Sequence, residues 1–223
     1  MGENRIVVAP GANGHVASSD AQQAVHALSD RVGVVLLQLE IPLPTVLAAA
    51  RAAKDEGMLV ILDPAPAPSE QLPSGCLADV DLLLPNEHEA ALLTGRPVYD
   101  ERTARLAASQ MVADLGCGGV IVKLGAQGAY VATGAHQSGL SQGIMVPALH
   151  VEAVDTTAAG DCYAGALATA LMAGTSMISA ARWANGAAAV SVTRRGAQES
   201  LPWLHEVEAL AGETHPPDAR KGG

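Results

Sequence analysis

Residues 34–62 read VVLLQLEIPLPTVLAAARAAKDEGMLVIL, and the alternation within them decides the fold. Val34-Val35-Leu36-Leu37-Gln38-Leu39 reads as a buried strand. Pro42 and Pro44 then open an Ala-rich helix over residues 44–56. Val46, Ala49, Ala50 and Ala53 share one of its faces, while Arg51, Lys54 and Asp55 reach water. Gly57 stops the helix, and residues 58–62 form a second strand. Strand, helix and strand at this spacing make a βαβ unit, and parallel strands covered on both faces are continuously apolar, as these are.

The same alternation extends outward. Residues 80–84 and 120–124 read as strands, with helices over 87–94 and 101–115 between them. Residues 130–133 and 144–154 read as further strands, the second interrupted by Pro147. Two apolar helices follow over 163–173 and 176–192, then a short one over 203–210. The fold class is α/β, a mostly parallel sheet with helices on both faces. Residues 1–211 read as one domain, and 212–223, with Pro216-Pro217 and Arg220-Lys221, as a frayed tail.

Composition narrows the function. Of 223 residues, 13 are basic and 23 acidic, a formal net charge of −10. That balance argues against a nucleic-acid or anionic-membrane surface, both of which demand Lys/Arg clusters. Phe is absent, and the five aromatics are Tyr99, Tyr130, Tyr163, Trp183 and Trp203. Stacking on bases is therefore disfavoured, and the core must come from Val, Leu, Ile and Ala. Cys76, Cys117 and Cys162 form no CxxC pair, so reduced thiols are expected; Cys162, at a helix start, is a candidate for a lowered pKa. None of the seven histidines has metal-ligand spacing. Met1-Gly2-Glu3-Asn4-Arg5 carries no secretion pattern, and the uncharged stretch 162–181 is broken by Gly174-Thr175-Ser176. A cytoplasmic protein without a membrane span is expected.

The chemistry concentrates in Val154-Asp155-Thr156-Thr157-Ala158-Ala159-Gly160-Asp161-Cys162-Tyr163-Ala164-Gly165-Ala166. A strand ends, small residues follow, and an Ala-rich helix begins. Small side chains let a ligand approach the backbone, and the first helical turn offers N–H groups to an anion. Asp161 can cap that helix or accept a proton from an attacking hydroxyl. The Asp-Thr-Thr-Ala-Ala-Gly-Asp string resembles the C-terminal signature of the ribokinase (PfkB-type) carbohydrate kinase family, which takes Gly or Ala at the position of Ala158. Gln38-Leu39-Glu40, Asp63-Pro64-Ala65-Pro66, Asn86-Glu87-His88-Glu89, Lys123-Leu124-Gly125-Ala126-Gln127-Gly128 and Ala184-Asn185-Gly186 follow in family order. Gly2-Glu3-Asn4 with Gly11-Ala12-Asn13, and Val192 through Gln198 with Ser200-Leu201-Pro202, resemble the ribokinase branch.

The resemblance implies a ribokinase-like three-layer sandwich that transfers the ATP γ-phosphoryl group to the 5-hydroxyl of D-ribose. It assigns Asp161 as catalytic base and sugar contact, Ala159 and Gly160 as anion hole, and Glu40 as a second sugar contact. ATP binding falls to Asn86, Lys123, Leu124, Gly125, Ala126, Gln127, Gly128, Gly160, Asp161 and Asn185. Mg²⁺ is associated with Glu89, and K⁺ with Asp155, Thr157, Ser191, Arg194, Gly196 and Ser200. Full-length members imply a homodimer. In the family, about the first third precedes the match to Gly2-Glu3-Asn4 and carries the lid, a sugar-binding Asp and a Gly-Gly-Lys segment. A chain shortened at its N-terminus in this way is expected to bind ATP weakly and to phosphorylate little ribose alone. Asp63 stands where ribokinases carry Asn. Three other readings compete: a related PfkB-type sugar kinase with another substrate, a non-catalytic nucleotide-binding fragment or partner subunit, and a dinucleotide-dependent oxidoreductase, which lacks the needed G-x-G-x-x-G.

Overall fold

Pro64 and Pro147 mark where two of the strands must stop, because neither can donate to a ladder. The computed structural model describes residues 9–68, 70–133 and 143–211. The Gly2-Glu3-Asn4 match, His136 and the tail over 212–223 lie outside these residues. Among the described residues one sheet runs in the order β1 (Val34–Leu37), β2 (Leu59–Leu62), β3 (Leu82–Leu83), β4 (Gly119–Lys123), β5 (Ala129–Thr133) and β6 (Gly143–Val146). β1 to β4 pair in parallel, while β5 and β6 return antiparallel. The helices are α1 (Ser18–Leu28), α2 (Leu43–Asp55), α3 (Glu87–Thr94), α4 (Glu101–Leu115), α5 (Ala159–Met172), α6 (Met177–Ser191) and α7 (Leu204–Ala211).

Strand side chains alternate between two cores, as a period of two requires. Val60, Leu62, Leu83, Val120, Val122 and Tyr130 face α2 and α4, meeting Val46, Ala49, Ala53, Ala104, Ala108 and Met111. Ile61, Leu82, Ile121 and Val131 face the other layer, meeting Leu167 of α5, Ala180, Trp183 and Ala184 of α6, and Val207 of α7. Helices on both faces of a mostly parallel sheet are the expected three layers. The many alanines let the helix axes lie close to the sheet without large aromatic fillers.

Three sequence expectations are corrected. The first strand ends at Leu37 rather than residue 39, because the ladder loses its regular step there: Asp63 N still donates to Leu37 O, but Leu39 N donates onward to Ala65 O at 2.9 Å. It is also an edge of the described sheet, and Leu36 is 45% exposed rather than buried. The expected strand over 144–154 shrinks to β6, which stops before Pro147; residues 147–153 are irregular. Helix α1 was not anticipated. Its entrance carries Ala17, whose N–H donates to Asp20 Oδ2 at 3.4 Å, and its Val25 packs into the α2 core.

Elsewhere the expected elements are present within a few residues. The uncharged stretch 162–181 is split between α5 and α6, with a turn at Gly174, φ +79°. Among the described residues no helix is long and apolar enough to cross a membrane. At Gly128, φ is +105° and a Cβ would meet the Val146 carbonyl oxygen at 2.1 Å. Only glycine lets the β4–β5 turn lie against the end of β6.

Leu167 is fully buried where α5 meets Ile61 and Ile121. Leu167→Ala should cost about 2–5 kcal/mol, read as a lower denaturant midpoint with an unchanged slope. A shift below about 1 kcal/mol would mean that α5 is not clamped to the sheet.

Candidate active site

Parallel pairing sets the C-terminal ends of β1 to β4 along one edge, the usual ligand edge of an open α/β sheet. Each strand delivers one polar residue there: Gln38 after β1, Asp63 after β2, Asn86 after β3, and Lys123 as the last residue of β4. Their backbones are in register. Asp63 N donates to Leu37 O at 2.9 Å, Lys123 N donates to Pro85 O at 2.8 Å, and Asn86 and Lys123 form a parallel bridge.

Helix α5 starts at the same edge, four residues earlier than its sequence pattern indicates. Its N-cap is Ala158 at φ 58°, a left-handed conformation that costs a non-glycine residue about 1–2 kcal/mol. That turn aims the first helical turn at the strand ends. Ala159 N already donates to Thr156 O at 3.2 Å, whereas Gly160 and Asp161 hold positions with no intrahelical acceptor. Asp161 is exposed, and its Oδ1 accepts from Gln38 Nε2 at 2.8 Å. The sequence pattern did not reveal that contact, because it joins residues 123 positions apart.

Beneath Gly160 lies a buried ion pair. Lys123 Nζ sits 2.5 Å from Asp63 Oδ2, and the two side chains are 15% and 6% exposed. Asp63 Oδ1 is buried with no hydrogen-bond partner among the described residues. Burial pushes the Asp63 carboxyl up to about 6; Lys123 opposes this, while Glu89 and Asp161 add to it. The sequence placed Lys123 at the end of a strand, where the nucleotide-binding turn begins, and assigned Asp63 no role; their pairing across β2 and β4 was not foreseen.

Asn86 and Glu89 cap α3 reciprocally. Asn86 Oδ1 accepts from Glu89 N, and Glu89 Oε2 accepts from Asn86 N, both at 2.8 Å. Glu89 is buried rather than solvated, at 7% exposure. Among the described residues no three His, Cys, Asp or Glu side chains converge on a point that would hold a metal. Mg²⁺ needs no such cage, since one or two carboxylates plus substrate phosphates suffice. Glu89, buried at this edge, can supply one such carboxylate.

A cavity of about 420 Å³ opens beside this edge, lined in part by Asn86, Lys123, Gly125, Gly160, Tyr163 and Asn185. Gly125, Ala126 and Gln127 form an exposed turn closed by the Leu124 N to Gly128 O bond at 2.7 Å. Leu124 itself is a core residue, 1% exposed, so it offers the cavity no side chain. Asn185 donates from Nδ2 to Val146 O and Pro147 O, each at 3.0 Å, and so fixes the cavity wall beyond β6. The Tyr163 hydroxyl is buried without a partner among the described residues, and burial pushes its pKa upward. The thiol of Cys162 is likewise pushed up by burial, which reverses the lowering expected from its place at a helix start. Glu40 is exposed beyond Gln38, with no hydrogen-bond partner among the described residues.

Of the six residues expected around a monovalent cation, Asp155, Thr157 and Gly196 are joined directly. Asp155 Oδ1 accepts from Thr157 N at 3.0 Å and Thr157 Oγ1 at 2.7 Å, and Oδ2 accepts from Gly196 N at 3.0 Å. The Thr157 hydroxyl, then the two backbone donors, hold the Asp155 carboxyl down to about 2. Ser191 is buried and its hydroxyl unpartnered among the described residues; Ser200 donates to Ala197 O at 2.8 Å. Arg194 turns its guanidinium to Glu206, leaving only its backbone for the site. One anionic carboxylate among oxygen donors fits a hard cation.

A parallel sheet whose strand ends meet a helix N-terminus over a glycine-lined cavity is an arrangement that suits phosphate in α/β proteins. The pattern of the pfkB family carbohydrate kinases matches residues 1–204. The chain is 41% identical over 204 residues to a ribokinase of Haemophilus influenzae, covering 92% of this chain and 63% of the relative. It is 36% identical to a deoxyribokinase of Salmonella typhi over 203 residues, covering 91% of this chain and 63% of the relative. The structure of Arabidopsis thaliana ribokinase complexed with ribose and ATP superposes with a TM-score of 0.79 at 30% identity, covering 96% of this chain and 66% of that one. The chain belongs to the PfkB family of carbohydrate kinases, and it spans a little under two thirds of these relatives.

The raised Asp63 pKa has a consequence for stability. The native state holds this proton more tightly than the unfolded chain, whose Asp titrates near 3.8. The Asp63 contribution is therefore fully present below about pH 4 and is lost as pH rises through about 6. Between pH 4 and 7, wild type should lose about 2–4 kcal/mol relative to Asp63→Asn. Denaturant titrations of both proteins at the two pH values test this; a pH-independent difference would contradict it.

Proposed function

We propose that this chain forms the nucleotide-binding and phosphoryl-transfer part of an ATP-dependent kinase that converts D-ribose to ribose 5-phosphate. One observation carries the reading: Asp161 stands in the first turn of α5, fixed by Gln38, beside the open N–H groups of a helix start. In the reaction, the ribose 5-hydroxyl oxygen forms a bond to the γ-phosphorus and its proton passes to the Asp161 carboxylate. The bond from the γ-phosphorus to the β–γ bridging oxygen breaks, and its electron pair leaves with ADP. Gly160 N–H and the helix dipole meet the charge of the transferring group. Ala159 joins them only by giving up its bond to Thr156.

Asn86 and the turn at Gly125, Ala126, Gln127 and Gly128 line the phosphate and nucleotide side, with Asn185 in the far wall. Mg²⁺ would be held through Glu89, where it would screen phosphate charge. K⁺ would be held by Asp155 with oxygens of Thr157, Ser191, Arg194, Gly196 and Ser200, behind the helix start. Glu40 lies on the sugar side. The deoxyribokinase likeness makes 2-deoxyribose the competing substrate, and a cytoplasmic homodimer completes the reading.

The test is ribose-dependent ADP release by this chain and by any longer product of its gene. In the form that turns over, Asp161→Asn should lower kcat by about 10²–10⁴ and leave ATP affinity within about threefold. Near wild-type turnover in that variant would reduce Asp161 to a helix residue. ATP binding with no sugar-dependent ADP release from any form would favour a nucleotide-binding partner subunit.

Potassium should raise activity in the same form, and Asp155→Ala should abolish that response. A full potassium response in Asp155→Ala would remove the cation site.

A further inference from the structure

Lys123 differs from the rest of its turn. From Leu124 through Gly128 the one polar side chain is that of Gln127, and its Nε2 donates to Tyr99 O at 2.9 Å, whereas Lys123 ends β4 with its side chain turned under α5. A Cβ built on Gly160 would lie 3.5 Å from Lys123 Nζ and 3.9 Å from Asp63 Oδ2. The ammonium therefore stands against the backbone that a phosphoryl oxygen must approach. It lines the cavity, and among the described residues its one partner is Asp63. An ammonium carries three donors, so Asp63 leaves two in reserve.

A purely structural account explains the pair poorly. Buried ion pairs commonly contribute no more stability than apolar residues of the same shape, and this one leaves a carboxylate oxygen orphaned. Its position explains it better. Asp63 is fixed at the end of β2 by its own N–H bond to Leu37 O, so its second oxygen is a rigid anchor. A lysine side chain is otherwise a flexible point charge. Anchored, it stays aimed at the open start of α5 before any ligand arrives, and no reorganisation is needed during transfer.

We propose that Lys123 is the cation that meets the phosphoryl group in transfer over Gly160, and that Asp63 is the positioning residue that holds its ammonium there. The inference rests on the kinase reading above. Lys123 neither gains nor loses a proton; it supplies fixed positive charge while the bonds at phosphorus form and break. Asp63 acts only through Lys123.

The test is γ-phosphate discrimination, the ratio of the ADP and ATP dissociation constants, measured by calorimetry on the 223-residue chain with adenosine as a control. Lys123→Met should collapse the ratio by at least about tenfold while adenosine affinity stays within twofold, and Lys123→Arg should retain most of it. Asp63→Asn should also lower the ratio, yet leave ATP bound no more weakly, because removing an anion does not weaken anion binding. If Lys123→Met does not fold, the double variant Asp63→Asn/Lys123→Met removes both charges together and carries the same expectation.

A wild-type ratio in Lys123→Met or in the double variant overturns the assignment. So does an equal loss of adenosine affinity in folded variants, which would make the pair a structural brace. A wild-type chain that binds adenosine and ATP alike overturns the assignment while sparing the nucleotide site. Failure to bind either overturns the kinase reading itself.

Discussion

The parallel hydrogen-bond ladder from β1 to β4 is the constraint on which everything else depends. Parallel strands in register must all end on the same side, so Gln38, Asp63, Asn86 and Lys123 come to one edge whatever their distance in sequence. The proline after β2 turns the chain away at once and leaves Asp63 at the rim. The α3 capping box after β3 does the same for Asn86 while burying Glu89. Side chains alternate faces along these strands, so the two cores and the polar rim follow from one register.

On this rim the protein concentrates charge that its composition elsewhere keeps in water. Glu89 and Asp161 both act on the Asp63 carboxylate, and among the described residues Lys123 is the cation paired with it. The arrangement is internally costly, as the pKa of Asp63 and its orphaned oxygen show. Such a cluster is tolerable where a polyanion with its cations is to be received, since fixed dipoles and charges then replace water. The left-handed turn at Ala158 adds a further small cost for the same end, pointing α5 at the rim.

Much of this was legible in the sequence. The apolar runs and Ala-rich periodicity disclosed the layers because burial on both strand faces and one helix face imposes those patterns. The small-residue string from Asp155 to Asp161 disclosed the helix start because backbone exposure demands small side chains there. What the sequence hid were contacts between distant residues. Asp63 was read only as standing where ribokinases carry Asn, and Lys123 as a strand-end residue of the nucleotide turn; only the parallel register puts them 2.5 Å apart. Helix α1 escaped because its apolar face is thin, with Val25 its single buried residue. The strand beyond Pro147 was overextended because its apolar residues serve the cavity wall rather than a ladder.

The bond from Gln38 to Asp161 closes a loop of 123 residues, running from the edge strand to the helix on the far face. Within that loop lie α2, β2 through β6 and both halves of the Asp63–Lys123 pair. The rim is thus completed by the contact of highest sequence separation among its parts, and chain closure of that length is slow and entropically opposed. Losing that bond would release Asp161 from Gln38 while the ladder keeps the four strand-end residues in place. A ligand gripping the rim binds only the fully closed chain, so its protection reaches amide protons along every strand in between.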